Sequence, residues 1–187
     1  LVLWFPDWPV TALTRDASRS VPVDASLPIA VMAANAVVAC SAAARAEGVR
    51  RGQRRRDAQA RCPRLIVIAA DPVRDHRVFA PVVAGIEERA PGVQIVRPGL
   101  CALRARGPAR YYGGEAEAAH VLLAALRELG LEGVRAGIAD GPFTAEQAAR
   151  IGSTVAEPVF LVPAGGAGGF LAPLPIDRLW GVGPVTG

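Results

Sequence analysis

The densest concentration of chemistry-bearing side chains in the sequence is a run of arginines. Arg50-Arg51-Gly52-Gln53-Arg54-Arg55-Arg56 lies within residues 45–64, where eight arginines stand against only Glu47 and Asp57, a local charge of +6. Two acids cannot neutralise eight guanidiniums, so the block reads as a surface for a polyanion. If about three to five of these arginines neutralise phosphates, log affinity should fall with log salt at a slope of roughly −3 to −4.5. Metal and thiol chemistry have weaker support. Cys40, Cys62 and Cys101 contain no CxxC pair, and His76 and His120 sit near none of them in sequence. A zinc site or disulfide framework is therefore not expected, and a reducing, cytoplasmic setting is. Gly165-Gly-Ala-Gly-Gly169 lacks the Lys-Ser or Lys-Thr of a phosphate loop and reads as a flexible connector. Gly181-Val-Gly183-Pro184 could form a tight turn whose backbone amides face a phosphate, as at the start of a helix-hairpin-helix.

The elements that must position these residues follow from periodicity and turn chemistry. The 187 residues are 51% apolar, with 16 Pro, 20 Gly and 21 basic residues, all arginine. A chain of this length can bury an ordinary core without staples. Two long uncharged stretches, 25–44 and 158–176, are interrupted by polar residues, Pro and Gly, so no membrane span is expected, and no charged region precedes Leu1 as in a leader. Leu1–Trp4 reads as a strand running into a Pro6-Asp7-Trp8-Pro9 loop, and residues 28–40 as two strands turning at Ala34-Asn35. Short helices are expected over 41–47 and 54–61, a strand over 65–69 and a helix after Pro72. A hairpin breaks at Arg97-Pro98-Gly99. Residues 115–129 should be an amphipathic helix with Ala118, Val121, Leu122, Ala125 and Leu129 inward. A strand over 134–139, a helix over 144–151 and a Gly/Pro-rich linker over 163–175 complete the series. The order predicts an α+β fold, helices packed on a mostly antiparallel sheet.

Taken in register, four segments resemble the bacterial Y-family (UmuC-like, translesion) DNA polymerases: Ala44-Arg-Ala-Glu-Gly-Val-Arg-Arg-Gly52, Asp57-Ala-Gln-Ala-Arg-Cys-Pro-Arg-Leu-Ile-Val-Ile68, Gly137-Ile-Ala139, and Leu174-Pro-Ile-Asp-Arg-Leu-Trp-Gly-Val-Gly-Pro184. The resemblance implies a palm of residues 1–20 and 71–163 and a small inserted fingers domain of residues 21–70. It makes 164–187 a linker and the start of a helical thumb, so that the chain would be an N-terminal fragment.

Two-metal phosphoryl transfer needs carboxylates to hold two Mg²⁺. The resemblance places those carboxylates at Phe5, Asp7, Gly99 and Leu100, of which only Asp7 is acidic. Of the fingers' Tyr-x-x-Arg grip on the triphosphate, Ala42 replaces the Tyr and Arg45 remains as a nucleotide-binding remnant. Pro142 and Glu146 stand where the family carries lysines, and Val10 where it carries the aromatic that screens the sugar hydroxyl. An opening Trp-Phe-Pro-Asp-Trp-Pro with the carboxylates replaced resembles the ImuB-like members.

These features predict a non-catalytic homologue with no cofactor, acting in translesion synthesis, DNA repair and SOS-type mutagenesis. It would be a cytoplasmic scaffold that binds DNA through Arg50, Arg51, Arg54, Arg55, Arg56, Gly181 and Gly183. By resemblance its protein partners would be the sliding clamp, a RecA-like accessory protein and an error-prone C-family polymerase. The alternative is an active error-prone translesion polymerase with an altered Mg²⁺ site, built from Asp7 with Asp140 or Glu146. A third reading is a protein-binding module with no role on DNA.

Overall fold

A computed structural model describes residues 1–20 and 22–176. The first apolar run forms β1 (Val2–Trp4). Pro6-Asp7-Trp8-Pro9 is not the expected loop: it enters helix α1 (Trp8–Arg15) at once. Asp7 adopts a left-handed conformation, φ 50°, as the N-cap, and Pro9 falls in the first turn, where its missing N–H has no partner to lose. The expected hairpin forms from β2 (Ile29–Ala33) and β3 (Ala36–Cys40). Ala34 and Asn35 between them both have positive φ, which suits a two-residue turn to the strand twist. Helix α2 (Ala42–Ala46) is capped by Ser41, whose Oγ accepts a hydrogen bond from the Ala44 amide at 3.2 Å. Helix α3 (Arg55–Arg61) stops ahead of Cys62-Pro63 because the residue before proline avoids helical backbone. Strand β4 (Ile66–Ala69) and the long helix α4 (Pro72–Glu87) follow.

The second half opens with the expected hairpin of β5 (Gln94–Arg97) and β6 (Leu100–Ala102), with Gly99 at φ 82° in the turn. Two helices come next, α5 (Arg106–Tyr112), which the sequence reading lacked, and α6 (Glu115–Glu128). The buried face of α6 is Ala118, Ala119, Leu122, Leu123 and Leu126, so the expected inward face was rotated: Val121 and Leu129 are 37% and 48% exposed. Strand β7 (Arg135–Ile138) leads to α7 (Pro142–Gln147), which widens into a π-helical turn over Ala148–Gly152. Strand β8 (Val159–Leu161) and helix α8 (Ala167–Leu171) were not anticipated; α8 lies in the glycine-rich stretch read as a connector.

The chain divides into two compact units. One comprises Leu1–Phe5, Val83–Val96 and the described residues from Leu100 onward; the other comprises Pro6–Val82 and Arg97–Gly99. The first unit is built on a sheet of order β5-β6-β1-β7-β8, in which β1 pairs antiparallel with β6 and β7, and β7 pairs parallel with β8. Val2, Leu100 and Ala145 form one part of its core, and α6 packs against β7 and β8. In the second unit the sheet order is β3-β2-β4, antiparallel then parallel. Its core joins Ala30, Met32, Val37, Cys40, Ala44, Val49, Ala58, Cys62 and Leu65. There Trp8 is fully buried edge-on to Phe79, centroids 4.7 Å apart, and its indole N–H donates to the Asp75 carbonyl at 3.0 Å. The architecture is the expected α+β class. Gly181 and Gly183, with the rest of the expected thumb start, lie outside the described residues.

Candidate nucleotide and nucleic-acid site

The residues at the positions of the family's carboxylates do three different things. Phe5 is buried, 4% exposed, as a core side chain of the first unit. Leu100 sits opposite Trp4 on the neighbouring strand and packs against Val2 and Ala145. Gly99 only supplies the positive φ of its turn. None of the three offers an oxygen ligand from its side chain.

Asp7 keeps its carboxylate, but both oxygens are engaged within the second unit. Oδ1 accepts from the Cys40 amide at 3.0 Å, and Oδ2 is ion-paired with the Arg45 guanidinium, which also donates to the Cys40 carbonyl at 3.1 Å. Asp7 thus ties the start of α1 to the end of β3. The surroundings are cationic. The Arg51 guanidinium is held below its ordinary range, chiefly by partial burial; Asp7 draws it up and Arg97 pushes it down. Arg51 is therefore within electrostatic reach of one carboxylate already paired and of a second guanidinium. Val10, at the position of the family's sugar-screening aromatic, is buried against Val31 and Ala39.

These residues do not fit a pair of divalent cations. Hard cations take several oxygen ligands each, and among the described residues no three His, Cys, Asp or Glu side chains group together in a way that could hold one. The acids considered as helpers are also engaged. Asp140 Oδ2 accepts from the Gly165 amide at 2.8 Å, and Glu146 pairs with Arg150 at 2.8 Å, one helical turn away. Arg150 in turn lies over the Trp4 ring, 4.7 Å from its centroid, with Arg135 at 5.2 Å. The sequence reading missed this arrangement, although the i,i+4 spacing of Glu146 and Arg150 is its signature.

The arginine block separates into two classes. Arg45, Arg50 and Arg64 make local contacts: Arg45 pairs with Asp7, Arg50 Nη1 donates to the carbonyls of Arg45 at 2.6 Å and Val49 at 2.9 Å, and Arg64 pairs with Glu47. The Arg50 bond to the Arg45 carbonyl places a cation where α2 ends, which the helix dipole favours. Arg54, Arg55 and Arg56 are exposed and make no ion pair among the described residues. Gln53 positions them, a residue that sequence reasoning passed over. Its side chain accepts from the Arg50 amide at 2.8 Å and donates to the Gly48 carbonyl at 3.3 Å, while its own carbonyl accepts from Val37 of β3 at 2.9 Å. The loop is thereby fixed to the sheet and its arginines face solvent.

Comparison with known proteins identifies the family and the fold. The impB/mucB/samB family matches residues 20–150. A DNA polymerase IV of Desulfatibacillum aliphaticivorans is 33% identical over 159 residues, 82% of this chain and 39% of that protein. A DNA polymerase IV 2 of Mesorhizobium japonicum is 32% identical over 162 residues, 85% of this chain and 38% of its own length. The chain thus spans about two-fifths of these relatives. Among solved structures, an insertion ternary complex of Dbh DNA polymerase superposes with a TM-score of 0.72 at 16% identity, covering 98% of this chain and 54% of that one. A Y-family chimera of Dbh and Dpo4 superposes with a TM-score of 0.66 at 16% identity, covering 97% and 54%. At that identity the two show the fold.

The relatives overturn one expectation. A non-catalytic homologue was inferred from Phe5, Gly99 and Leu100, yet both curated relatives carry the name of a DNA polymerase. Side chains absent from family positions describe those positions; they do not measure activity. With residues 20–150 matched and a third of the aligned residues identical to two polymerases, the chain belongs to the impB/mucB/samB family, the Y family of DNA polymerases.

Proposed function

We propose that this chain is the palm and fingers of an error-prone translesion DNA polymerase in which Phe5, Gly99 and Leu100 replace family metal-ligand positions. The observation that carries the proposal is the 33% identity to a DNA polymerase IV across 82% of the chain. On this reading residues 1–20 and 71–163 are palm, 21–70 are fingers, and 164–187 begin the thumb. Arg54, Arg55 and Arg56 meet the backbone of a primer–template duplex, and Arg45 with Arg51 meets the anionic end of the incoming nucleotide. Support for the DNA contact comes from the exposure of those three arginines and from the loop that holds them. The Trp4-Phe5-Pro6-Asp7-Trp8-Pro9 opening supports placement near the ImuB-like members. With that placement come the sliding clamp, a RecA-like accessory protein and a C-family polymerase as partners in cytoplasmic, SOS-type damage tolerance.

Primer extension by the complete protein tests the activity, on intact and lesion-bearing templates with Mg²⁺ and with Mn²⁺. Incorporation is the expected result; none with either cation, from protein that still binds the duplex, refutes it. Duplex affinity should fall with salt at a log–log slope of roughly −3 to −4.5, and neutralising Arg54, Arg55 and Arg56 together should flatten that slope by about 2.7. Affinity that ignores salt removes the arginine loop from the interface.

A further inference from the structure

A second cationic surface lies in the first unit, apart in sequence from the arginine loop. Within residues 89–114 the first unit carries four arginines, Arg89, Arg104, Arg106 and Arg110, and no acid. A cleft of about 720 Å³ opens there between the end of α4 and the start of α5, lined among others by Arg89, Arg104, Arg106, Tyr111, Tyr112 and a single acid, Glu88. That volume is in the range of sites that take small ligands, and suits about one or two nucleotides. Arg104 and Arg106 are exposed and form no ion pair among the described residues.

The aromatic pair gives this cleft its character. Tyr111 is 84% exposed, so most of its ring faces solvent. It stands edge-on to Tyr112, centroids 4.8 Å apart at 88°, and Tyr112 is anchored by donating its hydroxyl hydrogen bond to the Arg89 carbonyl at 3.3 Å. One ring is thus held in place and the other is propped outward beside guanidiniums. Stacking faces next to backbone-tracking cations are what unpaired nucleic acid requires. A duplex hides its base faces and could not use Tyr111.

We propose that this cleft binds single-stranded nucleic acid, with an unpaired base stacked on Tyr111 and its flanking phosphates met by Arg104 and Arg106. The proposal rests on the reading that the protein works on DNA, and places a contact for the unpaired strand in the first unit. Positive charge selects an anion, and the exposed ring selects a base over a carboxylate side chain.

The test uses the full-length protein and a labelled thymidine dodecamer carrying one 5-iodouracil. Photocrosslinking followed by peptide mapping should place the adduct on the peptide containing Tyr111. In fluorescence anisotropy Tyr111→Ala should weaken the dodecamer about fivefold or more, as loss of one stacked base does. Tyr111→Phe should retain affinity, and neither change should alter duplex affinity or the melting temperature. Neutralising Arg104 and Arg106 together should reduce the single-strand salt slope by about 1.4. Adducts only at other peptides, or unchanged dodecamer affinity in Tyr111→Ala, would overturn the proposal. So would displacement of the dodecamer from this site by poly-glutamate at equal charge, which would assign the cleft to acidic peptides. If neutralising Arg54, Arg55 and Arg56 leaves duplex binding intact while the Tyr111 adduct persists, the arginine-loop reading fails and this one stands.

Discussion

Gly137 allows the sharpest quantitative test of the fold, and it lies in one of the segments that carry the family resemblance. It occupies the middle of β7, paired with Val2 on one side and Phe160 on the other. Its backbone is not in the left-handed region, so conformational strain is not the issue; space is. A Cβ at Gly137 would stand 2.0 Å from the Ala145 carbonyl oxygen, 2.4 Å from the Ala149 amide nitrogen and 3.0 Å from the Ala145 carbonyl carbon. All three are backbone atoms of α7 and the π-helical turn, which cannot rotate away as a side chain can. Relief requires lifting the helix by about 1 Å, which opens the packing of Ala145 on Val2 and Leu100.

Overpacking a core commonly costs about 1–3 kcal/mol, and a clash with fixed backbone belongs at the top of that span. For a chain of this size about 3 kcal/mol lowers the melting temperature by roughly 6–12 °C. Thermal melts by circular dichroism, with urea midpoints at unchanged m-value, measure it. Two internal controls set the scale from below. Gly141→Ala meets nothing within 4 Å and should be within about 1 kcal/mol of the parent. Gly152→Ala puts its Cβ 2.6 Å from the Phe160 ring, a side chain rather than backbone, and should cost less than Gly137→Ala. If Gly137→Ala melts within a degree of the parent, helix and strand are not in the close contact described, and the reasoning fails.

Asp7→Ala should lose about 1–2 kcal/mol by urea titration, since it removes the acceptor for the Cys40 amide and leaves alanine in left-handed backbone; the Arg45 pair, half exposed, adds little. Asp7→Asn keeps the acceptor and tolerates that backbone, so it should lose less than half as much, and equal losses would contradict the assigned geometry. All three cysteines are free and buried, so Ellman's reagent at pH 8 should find no fast thiol in the native protein and three after denaturation. Burial pushes the Cys101 thiol from an ordinary 9.0 up to about 12. The folded state therefore binds this proton more tightly than the unfolded state does. The contribution is intact below about pH 9 and lost as pH rises toward 12, so Cys101→Ala should flatten the alkaline side of the stability profile. A profile unchanged between pH 9 and 11 would contradict that burial.

The elements legible in the sequence were those with a local steric cause. Ala34-Asn35 and Pro98-Gly99 mark their turns through the backbone they require, and Cys62-Pro63 ends its helix by a clash. The misreadings share a different cause. Pro9 was read as part of a loop, yet it lies in the first turn of a helix, where proline is harmless. The face of α6 was misplaced because an alanine-rich helix carries too little contrast to fix its phase: Ala119 is fully buried, while Val121 is partly exposed. Helix α8 contains two glycines in five residues, and local propensity argues against it.

The site was legible in its residues and hidden in its pairings. An acid at a metal-ligand position counts as a ligand only if its oxygens are free, and what occupies Asp7 comes from Cys40 and from Arg45, 38 positions away. No spacing rule reaches across the α1 and β2–β3 segments that bring them together. The arginine block shows the same dependence. Eight cations against two acids indicated a polyanion surface, but composition could not say that Arg50 is used in closing α2 while Arg54, Arg55 and Arg56 face solvent. The separation is made by Gln53, a neutral residue whose amide can both accept from Arg50 and donate to Gly48. Charge counting therefore located the surface, and the uncharged residue inside it decides which charges a phosphate backbone can meet.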